Sequence, residues 1–482
     1  MRIVIDMQGA QTGSRFRGIG RYTLSLVKAV VRNRGEHQII LALNGMLPDS
    51  IEYVRDVFKN LLPEDGIRVW YAPHPVNKNL KDNANAMRHR AAELIREAFL
   101  SSFNPDVILI TSLFEGFDNN AVTGIGLFDD RTPVAVILYD LIPFLYPDTY
   151  LKDISHRQYY MQKINFLKQA DLCLAISKSS AAEAEEKLSI DKNRIINISA
   201  ACDSIFEPLN VSLTEKKALF KKFGIKKSFI MYTGGADDRK NLDALIGAFK
   251  KLPDNLIGEY QIVIAGKMLA DNIISLNKTA KSAKLKHNKL IFTGYVSDLE
   301  LVKLYNLCAL FVFPSKHEGF GLPVLEAMSC GRPVIASNTS SLPEIIIRDD
   351  MMFDPLSEME IAQKITEVLT NDKFANTIAE YGLERSKNFS WDISAQKAIK
   401  AFEDIEKIKS EGKGFGSKFN LNSENLKKEA GNINRGVSGK NENKTAIIDN
   451  LIYSITKALK GASYDEQFLL SLAKYIDMTF NS

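Results

Sequence analysis

Cysteine is scarce. The four, Cys173, Cys202, Cys308 and Cys330, are widely separated and form no C-x-x-C pair, so neither a zinc cluster nor a disulfide framework is indicated. They read as buried hydrophobes of a protein kept in a reducing compartment. Histidine is equally sparse, and the six show no H-x-x-x-H or H-E-x-x-H spacing, which points away from a catalytic metal. Neither sign of charge dominates: 62 Lys and Arg stand against 58 Asp and Glu, a balance too even for a nucleic-acid footprint. Any anionic ligand must therefore be held locally. Long hydrophobic runs are missing as well, the stretch from Leu307 to Pro314 falling far short of the ~18–20 residues a membrane span requires. The opening Met1-Arg2-Ile3-Val4-Ile5-Asp6 reads as a strand without the features of a signal peptide. A cytoplasmic protein is expected, with peripheral attachment at the inner face of the cell membrane left open.

What is present is an ordinary globular composition, 45% hydrophobic and 25% charged, over 482 residues. That length exceeds one hydrophobic core and suits two domains of roughly 150–220 residues with something added. Short apolar, β-branched runs alternate with amphipathic segments from the start. Ile3-Val4-Ile5, His37 to Leu43, Ile67 to Tyr71, Val107 to Ile110, Val134 to Leu138, Leu172 to Ile176 and Ile195 to Ile198 predict strands. Tyr22 to Val31, Ala84 to Phe99 and Ser179 to Leu188 carry helical spacing. Continuous apolar strands separated by helices imply a parallel sheet covered on both faces, a doubly wound α/β domain.

The same grammar restarts after a turn-rich stretch from Ala200 to Pro208. Strands are predicted at Phe229 to Thr233, Gln261 to Ala265, Leu290 to Phe292, Ala309 to Phe313 and Pro333 to Ala336. Helices are predicted at Leu242 to Leu252, Asp298 to Leu307, Pro323 to Met328 and Glu358 to Leu369. Two such sheets facing one another would place a ligand in the cleft between them. Beyond about residue 410 the stretch from Gly412 to Thr445 is rich in Gly, Asn, Lys, Ser and Glu, a flexible-linker composition. Ile447 to Leu459 and Gln467 to Phe480 regain helical spacing, and their apolar faces either fold back or dock another module or protein.

The chemistry should sit on two loops. The run Pro314-Ser315-Lys316-His317-Glu318-Gly319-Phe320-Gly321-Leu322-Pro323 follows a buried strand and enters a helix. Its glycines allow close approach of a ligand, and free N–H groups at the helix start form an anion site. Glu318 and Glu326 can flank one ligand without touching each other. Beside an anion they are best used to accept hydrogen bonds from hydroxyls, and an anion joined to a polyol is a nucleotide sugar. The competing reading, a solvated loop acid and a first-turn acid favoured by the dipole, is the weaker one, and the second loop weakens it further. The second loop, Gly234-Gly235-Ala236-Asp237-Asp238-Arg239-Lys240-Asn241, again runs from strand to helix, and Arg239 with Lys240 suits a diphosphate. Other motifs fail: Thr23 stands where the dinucleotide fingerprint of Gly18-Ile19-Gly20 needs its third glycine, and no P-loop occurs. The pairs Asp129-Asp130, Asp237-Asp238 and Asp349-Asp350 read as loop acids rather than metal ligands.

Glu318 to Glu326, two glutamates with seven residues between them around Gly-Phe-Gly-Leu-Pro, resembles the signature of the retaining family 4 glycosyltransferases of the GT-B fold. The likeness extends over roughly residues 1–405 and includes Arg17-Gly18-Ile19-Gly20-Arg21-Tyr22, Ala175-Ile176-Ser177, Arg239-Lys240-Asn241, Thr293-Gly294-Tyr295-Val296 and Phe389-Ser390-Trp391. It implies an N-terminal acceptor-side Rossmann-like domain (1–205), a nucleotide-sugar domain (206–387), a helix crossing back (388–409), a linker (410–446) and a helical tail (447–482). By the same resemblance, Arg239 and Lys240 hold the donor diphosphate and Glu326 the ribose. Glu318 and the N–H groups of Phe320, Gly321 and Leu322 face the transferred sugar, and Gly294, Tyr295 and Val296 line the base pocket. Gly18 and Gly20 approach the phosphate from the acceptor side, and Asp140 contacts a sugar hydroxyl.

No metal or other cofactor is implied, the leaving group being stabilised by protein groups. Two departures stand out. Gly235 occupies the place of a common arginine, and Tyr139 that of a common histidine, so the part played by Tyr139 is open. The stretches Ile3 to Tyr22 and Tyr139 to Tyr150 are most similar to bacterial O-antigen mannosyltransferases, some of them tandem enzymes. This implies GDP-mannose as donor and a saccharide or lipid-linked saccharide as acceptor, with the tail leading to a membrane, a protein partner or a second catalytic module. The alternatives are a sugar-nucleotide epimerase of similar fold and a non-catalytic scaffold.

Overall fold

The computed structural model describes residues 1–16, 18–80 and 85–410; Arg17 and the expected linker and tail lie outside them. Two wholly parallel sheets account for the architecture. The first joins β1 (Arg2–Asp6), β2 (Gln38–Asn44), β3 (Ile67–Trp70), β4 (Val107–Ile110), β5 (Val134–Leu138), β6 (Leu172–Ala175) and β7 (Ile195–Asn197) in the order 3-2-1-4-5-6-7. The second joins β8 (Ser228–Thr233), β9 (Tyr260–Ala265), β10 (Leu290–Phe292), β11 (Leu310–Phe313), β12 (Val334–Ser337) and β13 (Met352–Phe353) in the order 10-9-8-11-12-13. All twelve strands anticipated from the sequence are present. Only β13, two residues at a sheet edge, carried too short an apolar run to be read.

Central strands are buried throughout their length, Ile3 to Asp6, Val107 to Ile110 and Leu310 to Phe313 among them, because helices cover both faces of each sheet. Register is direct: Ile5 pairs with Leu41 on one side and Leu109 on the other. Strand order reverses between β1 and β4 in the first sheet and between β8 and β11 in the second. Loops leaving those strands diverge there and open a crevice, the place where such sheets bind ligands. The two loops singled out above follow β8 and β11.

The helix Trp391–Ser410 returns to the first sheet. Ala395, Ala398, Phe402 and Ile405 recur at helical spacing and are buried. Asp392 accepts from Arg32 Nη2 at 2.9 Å and Asn33 Nδ2 at 2.7 Å, and the Trp391 ring meets Tyr22 edge-on at 4.9 Å. Among the described residues no helix is long and apolar enough to cross a membrane.

Candidate active site

The loop after β8 makes a 3-10 turn, Asp238–Lys240, and then Asn241 adopts a left-handed conformation (φ 59°) before the helix Leu242–Lys250. Asn241 Nδ2 donates to the carbonyls of Pro314 (3.0 Å) and Pro355 (2.7 Å), and the Lys316 N–H donates to the Arg239 carbonyl at 2.7 Å. These bonds lash the β8 loop to the β11 loop. The basic pair is thereby delivered to the acid: Glu318 accepts from Lys240 Nζ at 2.6 Å through Oε1 and from Arg239 Nη1 at 3.0 Å through Oε2. Burial alone would raise the pKa of Glu318, but the two cations outweigh it and hold the carboxyl below the usual range. Arg239 also pairs with Asp237 at 3.0 Å, and Tyr150 of the first domain donates to Asp237 at 2.8 Å.

Gly321, at φ 110°, turns the chain into the helix Leu322–Ser329, with Pro323 in its first turn. No side chain caps that helix start. It carries the positive end of the helix dipole. Glu326 lies deeper, and accepts from the Tyr305 hydroxyl at 2.7 Å. Burial pushes its carboxyl up to about 7, against the pull of that hydroxyl and of Arg21 from the opposite domain.

The other wall comes from the first sheet. Asp140 follows β5, accepts from the Ile142 N–H at 3.0 Å, and is raised in pKa by burial, an effect that Ile142 and Arg239 offset only in part. The two walls touch. A Cβ on Gly319 would lie 2.7 Å from the Tyr139 carbonyl oxygen and 3.1 Å from Asp140 Cβ, so only glycine allows this approach. Ser180 Oγ lies between the Tyr139 carbonyl oxygen (2.7 Å) and the Gly319 carbonyl oxygen (3.2 Å), which share its one proton. His317 also reaches across, with Nδ1 3.2 Å from the Tyr146 hydroxyl and Nε2 2.8 Å from Glu183 Oε1.

Known proteins resemble this chain over most of its length. Residues 215–385 match the family described as "Glycosyl transferases group 1". The serotype-specific mannosyltransferase WbdA of Escherichia coli is 36% identical over 403 residues, which are 83% of this chain and 48% of that protein. The O-antigen chain mannosyltransferase B of Escherichia coli is 31% identical over 268 residues, 55% of this chain and 68% of that protein. The chain belongs to the group 1 glycosyltransferases. Its fold is GT-B: the structure of Anabaena Alr3699/HepE in complex with UDP and glucose superposes with a TM-score of 0.61 at 18% identity, covering 84% of this chain and 100% of that one. The chain spans about half the length of the WbdA relative, 48%.

For a group 1 glycosyltransferase, the crevice gathers most of the residues anticipated from sequence: Glu318, Arg239, Lys240, Phe320, Gly321, Leu322 and Asp140 share one locus. Glu326 lies farther along the helix, beside Arg21. Gly294 (φ 68°) forms an isolated bridge with Gly266, Tyr295 next to it is 76% exposed, and Val296 packs inward. The two early glycines differ. Gly18 is exposed with nothing near its missing side chain, whereas a Cβ on Gly20 would meet Arg15 Cα at 2.3 Å, so Gly20 is required by the turn packed on it. The Tyr139 hydroxyl lies 3.0 Å from Thr23 Oγ1 and donates to the Thr111 carbonyl at 3.0 Å. Sequence reasoning missed Ser180, Glu183, His317, Tyr146 and Tyr150. The aromatic pair within Tyr139 to Tyr150 was the available signal, but contacts that arise only when two domains meet leave no local pattern.

Proposed function

We propose that this chain is a retaining α-mannosyltransferase that uses GDP-mannose and extends a saccharide of lipopolysaccharide O-antigen or a related polysaccharide. The observation that carries it is the Arg239–Glu318–Lys240 cluster at an uncapped helix start, pressed through Gly319 against Asp140 of the facing domain. The names of the two Escherichia coli relatives support mannose. Residues 1–205 are taken as the acceptor side and 206–387 as the donor side. The Leu322–Ser329 helix start and the basic pair would hold the diphosphate, Glu326 the ribose, and Gly294 to Val296 the base.

The acceptor hydroxyl oxygen forms its bond to the sugar's anomeric carbon as the bond to the diphosphate breaks. The hydroxyl proton passes to the departing phosphate on the same face, giving the glycoside and GDP. Glu318 fixes both cations before the donor arrives, so little reorganisation is needed as charge develops on the leaving oxygen. Asp140 and Glu318 would accept from sugar hydroxyls. No metal is required in this scheme, a cytoplasmic location with peripheral attachment to the membrane would suit such an acceptor, and the segment after residue 410 would join a second module.

The decisive experiment is transfer from a panel of nucleotide sugars to short oligosaccharides, with and without chelator, and the linkage read by NMR. GDP-mannose is expected to be preferred, with the α configuration kept and no loss on chelation. Lys240→Ala is expected to lower kcat/KM by roughly 10²–10³, as removal of one charge-stabilising contact does. Wild-type rates in the folded variant, or turnover of donor with no acceptor consumed, would refute the assignment.

A further inference from the structure

Two helix N-termini face the interdomain cleft, and they are treated differently. The start of Leu322–Ser329 has no side-chain cap. The start of Lys178–Leu188, in the first domain, is filled: Ser177 accepts from the Ser180 N–H at 2.9 Å, and Glu344 of the second domain accepts from the N–H groups of Lys178 (2.8 Å) and Ser179 (2.7 Å). A carboxylate set on two backbone donors at the positive end of a helix makes charge-assisted bonds in their favoured place. Arg385 holds the Glu344 segment rigid, donating to the carbonyls of Ile345 (3.0 Å) and Glu344 (2.9 Å). Beside these bonds lies a cavity of about 470 Å3 walled by both domains, Lys178, Phe320, Glu344 and Phe389 among its lining.

We propose that Glu344 is a positioning residue for glycosyl transfer, a latch that locks the second domain onto the helix Lys178–Leu188. Two residues inside that helix, Ser180 spans the carbonyls of Tyr139 and Gly319, so the latch fixes the register in which the glycine loop meets Asp140. Glu344 touches neither donor nor acceptor in this scheme; it acts by aligning the groups that do. The proposal rests on the transferase reading for its kinetic consequence and on geometry alone for its structural one.

The test uses the full chain carrying Glu344→Ala, Lys178→Pro, or both. Lys178 is the first helical residue and Ser177 before it is extended (φ −155°, ψ 166°), so proline fits there and deletes one donor from the opposite domain. Each single variant is expected to lower transfer kcat/KM by roughly 10–100-fold. GDP affinity by calorimetry, with UDP in parallel, should stay within about twofold, and the radius of gyration by X-ray scattering should rise. The double variant should lose little beyond the worse single, since both changes break one contact. Transfer within twofold of wild type in both singles, an unchanged radius of gyration, or GDP affinity falling in step with transfer would overturn the latch. A wild-type chain that transfers no sugar would instead defeat the transferase reading, with scattering still deciding whether Glu344 closes the domains.

Discussion

Glu318 and Glu326 are both buried carboxylates eight positions apart, yet their surroundings drive their proton affinities in opposite directions. Glu318 has two cations on its oxygens and stays ionised; Glu326 has only a phenol and is lifted from its ordinary 4.5 to about 7. A carboxylate that accepts from ribose hydroxyls works best without its proton. Below pH 7 the free chain carries that proton, so binding must expel it, and nucleoside diphosphate affinity is expected to rise with pH up to about 7 and level off above. Calorimetry from pH 5.5 to 8, in buffers of different ionisation heat, should show proton release for the wild type. Glu326→Gln should lack that part of the slope, which is at most about tenfold per pH unit for one proton. Equal slopes in the two chains would remove Glu326 from the ribose site.

Between elements, the critical contact is the glycine loop after β11 against the turn after β5. Gly319→Ala would put a methyl 2.7 Å from the Tyr139 carbonyl oxygen, and backbone on both sides leaves no flexible tip to yield. The domains must then part slightly at the reacting centre. Transfer is expected to drop at least about tenfold while GDP affinity, which the proposed function assigns to the second domain, holds within about twofold; misplacement by 1 Å has this order of effect. Parallel loss of both would place the defect inside the second domain. The elements themselves were legible in the sequence because continuous apolar strands and amphipathic helices write their burial locally, as Val134 to Leu138 and Leu310 to Phe313 do. The glutamate pair and the basic pair were legible because each lies within one short stretch of sequence. Glu344 and Ser179 were not: 165 positions separate them, and neither belongs to a local pattern. Gly20 was read for its ligand, and its packing on Arg15 is a further constraint the sequence did not show, since a glycine does not announce which neighbour it admits.

At the scale of the molecule, the first domain carries its own charge problem in its interior. Arg96 pairs with Asp6 at 2.6 Å, His89 stands 3.5 Å and Lys163 4.0 Å from Glu93, and all of these side chains are nearly inaccessible. Burial pushes Lys163 down to about 7 and Glu97 up to about 7, while His89, Lys163 and Arg90 overcome burial to hold Glu93 at about 2. Glu97 accepts from the Phe128 N–H at 2.7 Å, but that bond and Arg96 do not offset its desolvation. The folded chain thus keeps a proton on Glu97 between its ordinary 4.5 and about 7 where the unfolded chain has lost it, so this group makes stability fall as pH rises through that window. Lys163 works later: the unfolded chain stays protonated up to 10.5, the folded one only to about 7, so stability recovers above 7. Glu97→Gln is expected to match the wild type near pH 4.5 and exceed it by on the order of 2–3 kcal/mol above pH 7. Tryptophan fluorescence during urea unfolding isolates this domain, because Trp70 ends β3 and Trp391 packs on Tyr22. A variant no more stable than the wild type at pH 8 would show that Glu97 is already compensated when ionised.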